Sequence, residues 1–318
     1  MQSRRVKAKL VMLLSSVICL HTTSASAQVT QGAKPPSPVP TTYTIGGKPV
    51  AGGCESCAEW SIPHAPVKLH GNTWYVGTRD LSTILITSPA GHVLIDGGLS
   101  VTVPQILANI RAVGADPRDI KLVLTSHVHY DHAQATAAFA ALNGARVAAL
   151  PWSARALESG VMPSDDPQFG LAFDNPKVSR VQVVQSGDTL RVGSLIIRAT
   201  ATPGHTPGST TWSWQSCDGG KCVDVVYADS QTPISADGFL FTAQRGLAEA
   251  VERGHRALET MPCGMLVTPH PGASRLWERV AQGRAVGADS LLDKTGCARY
   301  AQRARAAYQA RYAKERGR

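Results

Sequence analysis

Apolar residues in this chain gather in short runs separated by polar, Gly and Pro positions. Runs at residues 67–69, 73–76, 83–87 and 92–96 read as strands, and Lys121-Leu122-Val123-Leu124-Thr125 has the pattern of a buried strand. Further strands are predicted at 147–150, 181–184, 195–200, 210–214, 223–227 and 265–268. Val103, Ile106, Leu107 and Ile110 recur at helical spacing within 101–113, and Gly114 closes that segment. The Ala-rich stretch 133–142 and the segments 246–260 and 297–313 also predict helices. Strands and helices alternate through both halves without a Pro/Ser-rich linker, and no short-period repeat is visible. The pattern predicts one α/β domain over 54–318, with sheets inside, helices outside and a basic C-terminal helix.

Residues 1–27 stand apart from that pattern. Arg4, Arg5, Lys7 and Lys9 precede an apolar run of about eleven residues ending at Leu20, and small residues lead to Ala25-Ser26-Ala27. This is the layout of a secretory signal peptide, with cleavage expected after Ala27 and export to the periplasm. The run is too short to span a bilayer, which needs about twenty residues, so no stable membrane anchor is expected. Residues 28–53 carry several Pro, Gly and Thr and read as an extended N-terminal leader.

At 43% hydrophobic and 17% charged, the composition is globular and excludes a disordered, collagenous or coiled-coil chain. The formal charge of +9 invites a nucleic-acid or membrane reading, but its distribution removes it. Four positive charges lie in the signal peptide, and the last twenty residues net +6, so residues 28–298 net −1. No nucleic-acid partner is expected, and the chain reads as a monomer acting on a small molecule. Six cysteines follow the signal peptide, an even number that in an exported chain reads as three disulfides. Spacing favours Cys217–Cys222 across Gly219-Gly220, and Cys263–Cys297 would then tie the last helix to the body. Cys54 and Cys57 form a C-x-x-C in a Gly/Pro-rich setting, which reads as a small structural bridge.

The chemistry is concentrated after the strand at 121–125. Ser126-His127-Val128-His129-Tyr130-Asp131-His132 places three imidazoles and a carboxylate within six positions. In an extended loop His127 and His129 share a face, and Asp131 and His132 follow at the turn into a helix. Such a cluster is costly to bury unless it holds a cation, and neutral imidazoles with a carboxylate suit zinc. His205 in Thr202-Pro203-Gly204-His205-Thr206-Pro207-Gly208 and His270 in Thr268-Pro269-His270-Pro271-Gly272 stand in similar turns after strands. Six ligands exceed one tetrahedral site with an open position and suit two Zn2+ with three protein ligands each. His64, His70, His92 and His255 read as ordinary surface or core histidines.

With these motifs in view, the chain resembles the metallo-β-lactamase superfamily, and most of all the third subclass of class B β-lactamases. The resemblance runs from about Cys54 to Tyr300. Besides H-x-H-x-D-H it includes Gly71-Asn72-Thr73-Trp74-Tyr75-Val76-Gly77, Val93-Leu94-Ile95-Asp96-Gly97 and Tyr227-Ala228-Asp229-Ser230. It implies an αβ/βα sandwich, two central β-sheets with helices on both outer faces. It assigns His127, His129 and His205 to a first zinc, and Asp131, His132 and His270 to a second. It also implies that Ser230 and Thr232 hold the substrate carboxylate, and that Asp229 and Asp96 support the ligands from outside.

The implied reaction is zinc-dependent hydrolysis of the β-lactam amide bond by a metal-bound hydroxide, with Asp131 orienting the nucleophile. That activity on penicillins, cephalosporins and carbapenems would confer antibiotic resistance. The same ligands also serve a glyoxalase II-like thioesterase or a lactonase, in which an Asp bridges the metals and Asp229 is the candidate. Two features depart from the family. Arg79 stands where relatives carry a cysteine that pairs with the N-terminal one, which leaves Cys57 as the partner for Cys54. Gln134 and Ala135 replace the usual glycines after His132-Ala133, a change expected at the pocket floor. The segments 152–163 and 239–246 are expected to form loops around the pocket.

Overall fold

The computed structural model describes residues 43–49, 54–286 and 288–317. The predicted signal peptide and residues 28–42 and 50–53 of the leader lie outside these. The described part of the leader turns back on itself instead of running extended, as a hairpin of β1 (Thr44–Ile45) and β2 (Lys48–Pro49). Gly46 and Gly47 both have positive φ there, and their backbone N–H groups donate to the Asp174 carboxylate at 3.2 and 2.8 Å. A one-turn helix, α1 (Cys57–Trp60), precedes the first sheet.

That sheet has seven strands. β3 (Val67–His70), β4 (Thr73–Tyr75), β5 (Ile84–Ile86) and β6 (His92–Ile95) form an antiparallel meander. Helix α2 (Val103–Ala112) leads to β7 (Ile120–Leu124), and α3 (Tyr130–Ala133) and α4 (Thr136–Ala141) lead to β8 (Arg146–Ala149). α5 (Pro151–Ser159) leads to β9 (Val181–Val183), and β7 to β9 add in parallel beside β6.

The second sheet repeats this plan. β10 (Thr189–Val192), β11 (Leu195–Ala201), β12 (Thr210–Asp218) and β13 (Lys221–Tyr227) are antiparallel. α6 (Leu247–Thr260) then leads to β14 (Met265–Val267), parallel to β13. α7 (Leu276–Val286) and α8 (Gly296–Arg316) follow.

The side-chain period of two explains the layers. Val93 and Ile95, Leu122 and Leu124, Val225 and Tyr227, and Met265 and Val267 pack in one core shared by the two sheets. The residues between them face outward: Leu94 and Val123 join Ile106, Ile110 and Phe139 under the helices of the first sheet. Val226 and Leu266 join Leu258, Tyr300 and Ala301 under those of the second. Strands covered on both faces read as continuous apolar runs. The result is the αβ/βα sandwich.

Three disulfides are present: Cys54–Cys57, Cys217–Cys222 and Cys263–Cys297. The last joins the entry to β14 with the first turn of α8 across 34 positions. Removing it by Cys263→Ser with Cys297→Ser is expected to cost about 3–4 kcal/mol on the loop-entropy argument, read as a lowered urea midpoint. An unchanged midpoint would mean that α8 is held by packing alone. Arg79 reaches Glu59 of α1 at 3.0 Å, Arg79 N–H donates to the Ile62 carbonyl, and the Thr78 hydroxyl donates to that of Trp60. Non-covalent bonds thus tie α1 to this strand end.

Candidate metal centre and active site

The ligand candidates lie where strands of both sheets end. His127 and His129 follow β7, Asp131 and His132 begin α3, His205 lies between β11 and β12, and His270 follows β14. Asp96, at the end of β6, organises the junction. Its backbone is left-handed (φ 58°), which is uncommon for a residue with a Cβ. Its fully buried carboxylate accepts from Ser126 N at 2.6 Å, Ser126 Oγ at 2.8 Å and the Tyr227 hydroxyl at 2.7 Å. The ends of β6, β7 and β13 are thereby joined through one group. Gly97 and Gly98 then donate their N–H groups to the His132 carbonyl at 2.9 and 3.2 Å. A Cβ on Gly97 would meet Ala135 at 3.2 Å, so glycine lets this turn close against α3.

Five imidazoles and one carboxylate form a continuous cluster. The His127 ring lies 4.8 Å from those of His129 and His205 and 4.5 Å from that of His132. In the first group, ligand atoms of His127, His129 and His205 all lie within 4.8 Å of one another. In the second, Asp131 Oδ2 lies 3.0 Å from His132 Nε2 and 3.2 Å from His270 Nε2, and those two nitrogens are 3.3 Å apart.

Four of the five rings are held from behind, while His132 Nδ1 faces Asp96 Oδ2 at 3.6 Å. His127 Nδ1 donates to Asp229 Oδ1 at 2.8 Å, and His129 Nε2 to Asp166 Oδ1 at 3.1 Å. His205 Nδ1 donates to the Thr232 carbonyl at 2.9 Å, and His270 Nδ1 to that of Asp80 at 3.2 Å. Such outer bonds fix the tautomer, so the other nitrogen presents its lone pair inward.

Electrostatics divides the cluster. Burial, reinforced by neighbouring imidazoles, holds His127 and His205 well below the ordinary histidine value, so both are neutral near pH 7. His132 behaves oppositely: burial pulls it down, but Asp131 and Asp96 outweigh that and raise it to about 9. Asp131 is held well below the usual carboxylate range, because His132 and His270 overcome the effect of burial. Burial pushes Asp96 up to about 6, against the pull of His132, Ser126 and Tyr227, and it also raises Asp229.

His127 Nε2 is buried and has no hydrogen-bond partner in the protein, while Nδ1 of the same ring is satisfied. A lone pair left this way beside neutral imidazoles and a carboxylate is the state a divalent metal requires. The residues present fit a metal centre with nitrogen and oxygen donors. No cysteine among the described residues has a free thiolate to offer: all six are in disulfides.

The remaining expected residues are accounted for as follows. Ser230 directly follows Asp229 and is buried; Thr232 is exposed, with Oγ1 3.1 Å from His205 Nδ1. Gln134 Oε1 accepts from Ser100 N at 2.9 Å, so this side chain braces the turn after Gly98. The segment 152–163 is mostly helix α5, not a loop: Pro151 starts it, and Trp152 is buried with Nε1 donating to Asp165 at 3.0 Å. The segment that reaches the ligands is 163–172, which sequence reasoning missed. Besides Asp166 it supplies Gln168, whose Nε2 lies 3.4 Å from His205 Nε2. The four other histidines among the described residues are elsewhere; His64, for example, stacks on Trp277 with ring centroids 4.1 Å apart.

Solved structures match this arrangement over most of the chain. The Rm3 metallo-beta-lactamase is 42% identical, with a TM-score of 0.81 over 83% of this chain and 100% of that one. MEM-A1, a subclass B3 metallo-beta-lactamase from a soil metagenome library, is 35% identical, with a TM-score of 0.79 over 81% of this chain and 99% of that one. Curated relatives match over shorter lengths. A probable metallo-hydrolase of Burkholderia pseudomallei is 31% identical over 42% of this chain and 48% of that protein. An N-acyl homoserine lactonase of Azorhizobium caulinodans is 35% identical over 17% of this chain and 29% of that protein. The chain thus spans less than half the length of these two relatives. The sequence model of the metallo-beta-lactamase superfamily matches residues 76–281, and with the fold and the donor cluster in agreement, this chain belongs to that superfamily.

Proposed function

We propose that this hydrolase opens the amide bond of β-lactams, namely penicillins, cephalosporins and carbapenems, using two zinc ions, and so confers resistance to them. The observation that carries this reading is the structural match over more than four-fifths of the chain, at 35–42% identity, to metallo-β-lactamases. Asp229 Oδ1 is engaged by the outer nitrogen of His127, as expected of a residue that supports a ligand ring from outside. The export segment and three disulfides support a periplasmic location. No helix among the described residues is long and apolar enough to cross a membrane.

His127, His129 and His205 would hold one zinc, and Asp131, His132 and His270 the other. Bound zinc supplies Lewis acidity and brings the pKa of a coordinated water to roughly 7. The protein does the positioning. Asp229 and the carbonyls of Thr232 and Asp80 keep their rings turned with lone pairs inward. Asp131 uses Oδ2 toward His132 and His270, which leaves Oδ1 to orient the water and take its proton. Ser230 offers a hydroxyl to the substrate carboxylate. The Thr232 hydroxyl, which accepts from His205, keeps its own proton to donate to the same group. Hydrolysis is complete when the amide C–N bond breaks and the ring nitrogen takes up the proton that Asp131 took from the water, and no residue of the protein is acylated.

The test is a panel on the purified, zinc-loaded mature chain: three classes of β-lactam, an N-acyl homoserine lactone and a glutathione thioester, each with and without chelator. β-Lactams are expected to turn over, with activity falling to background on chelation and returning with zinc. Turnover of the lactone or thioester with no β-lactam hydrolysis would replace this reading by the alternative.

A further inference from the structure

The Asp166 carboxylate is fully buried, and its Oδ1 receives two donors at once. The ring N–H of His129 reaches it from Nε2 at 3.1 Å, and the backbone N–H of Gln168 at 2.8 Å. Asp166 also shapes its own turn: its N–H donates to the Pro163 carbonyl, and its carbonyl accepts from Phe169 N. One oxygen atom therefore joins a ligand ring to the loop beside it. Two consequences follow from chemistry alone. A carboxylate at Nε2 keeps the proton there, so Nδ1 is the bare nitrogen of His129. The bond to Gln168 also sets where its amide stands, 3.4 Å from His205 Nε2 at the first group.

We propose that Asp166 is a positioning residue of the metal centre, which fixes His129 with Nδ1 toward the other ligands and fastens the loop 163–172 beside them. This rests on the ligand role of His129 and not on the choice of substrate. It accounts for a buried acid that would otherwise be a liability in a surface-connecting segment: its charge is used by a ring, not by an Arg or Lys.

The test is metal binding by the mature chain, by competition with a chromophoric chelator for zinc and by the absorption spectrum after cobalt(II) loading. Asp166→Ala removes both bonds and is expected to weaken one metal equivalent by about 10–100-fold. Asp166→Asn keeps an accepting oxygen for both N–H groups, so it should recover most of that affinity. Its cobalt band should still shift, because a neutral amide replaces the anion behind the ring. Asp165→Asn is the control, since Asp165 belongs to the same loop and accepts from Trp152 Nε1 at 3.0 Å; it should bind metal as the unaltered chain does. An unchanged cobalt spectrum and affinity in Asp166→Asn and Asp166→Ala would overturn the proposal. So would an Asp165→Asn loss equal to that of Asp166→Ala, which would mark general damage to the loop. Because the readout is binding, a chain that hydrolyses no β-lactam still tests the inference.

Discussion

Replacing Asp131 with alanine is expected to remove one of two metal equivalents and to lower kcat/KM for a penicillin by about 10²–10⁴-fold, the span for a positioned acid–base group. Asp131 supplies the only carboxylate of the six ligand candidates, and its Oδ2 lies 3.0–3.2 Å from the facing nitrogens of His132 and His270. Without it two rings face each other at 3.3 Å with no anion between them, a poor two-donor site for a dication. His132 also loses the main partner that raises its pKa, so its protonation state changes with the same substitution. Metal content after dialysis and steady-state kinetics read the two effects separately. Two retained equivalents with full activity would remove Asp131 from both roles.

Asp96→Ala is expected to cost roughly 3–5 kcal/mol of stability, the range for breaking a buried charged network. The change leaves Ser126 N, Ser126 Oγ and the Tyr227 hydroxyl buried without their acceptor. These donors belong to both sheets, so the loss falls on their junction. The pH dependence has a definite sign. In the metal-free protein the folded pKa of about 6 exceeds the ordinary aspartate value of 3.8, so the folded state binds this proton more tightly than the unfolded chain. The contribution of this group is full below about pH 4, falls as pH rises through about 6 and is flat above. Asp96→Asn, which stays neutral, should abolish that slope. Urea unfolding of the three proteins between pH 5 and 8 checks both; equal midpoints for Asp96→Ala and the unaltered chain would place the junction's strength elsewhere.

What could be read in advance depended on how local each cause was. The candidate donor cluster was legible because H-x-H-x-D-H has no good reason to exist without a cation. Asp166 was not, since an acid in Asp165-Asp166-Pro167-Gln168 looks like any solvated acid until the fold brings His129 to it. The strands were legible as apolar runs, but their sheet partners were not. Val93, Leu94 and Ile95 are all fully buried, and only tertiary packing separates the two that face the second sheet from the one that faces the helices. β10 offers just Leu190 and Val192 to the core and is too short to announce itself. The basic tail is less free than its composition implies. Arg305 pairs with Glu252 and Glu259 of α6, and Arg311 donates to Ser235 Oγ and the Phe239 carbonyl, so part of that charge holds α8 in place.

The parallel and antiparallel plan repeated in both sheets has one more consequence. In the first ligand group, two members come from the first sheet and His205 from the second; in the second group, Asp131 and His132 come from the first and His270 from the second. An ion in either place would therefore close a long loop in the chain, which makes it a removable cross-link between halves that cannot form until those halves have docked. Metal starvation would then act on this protein twice, once by stopping its chemistry and once by unfastening its seam.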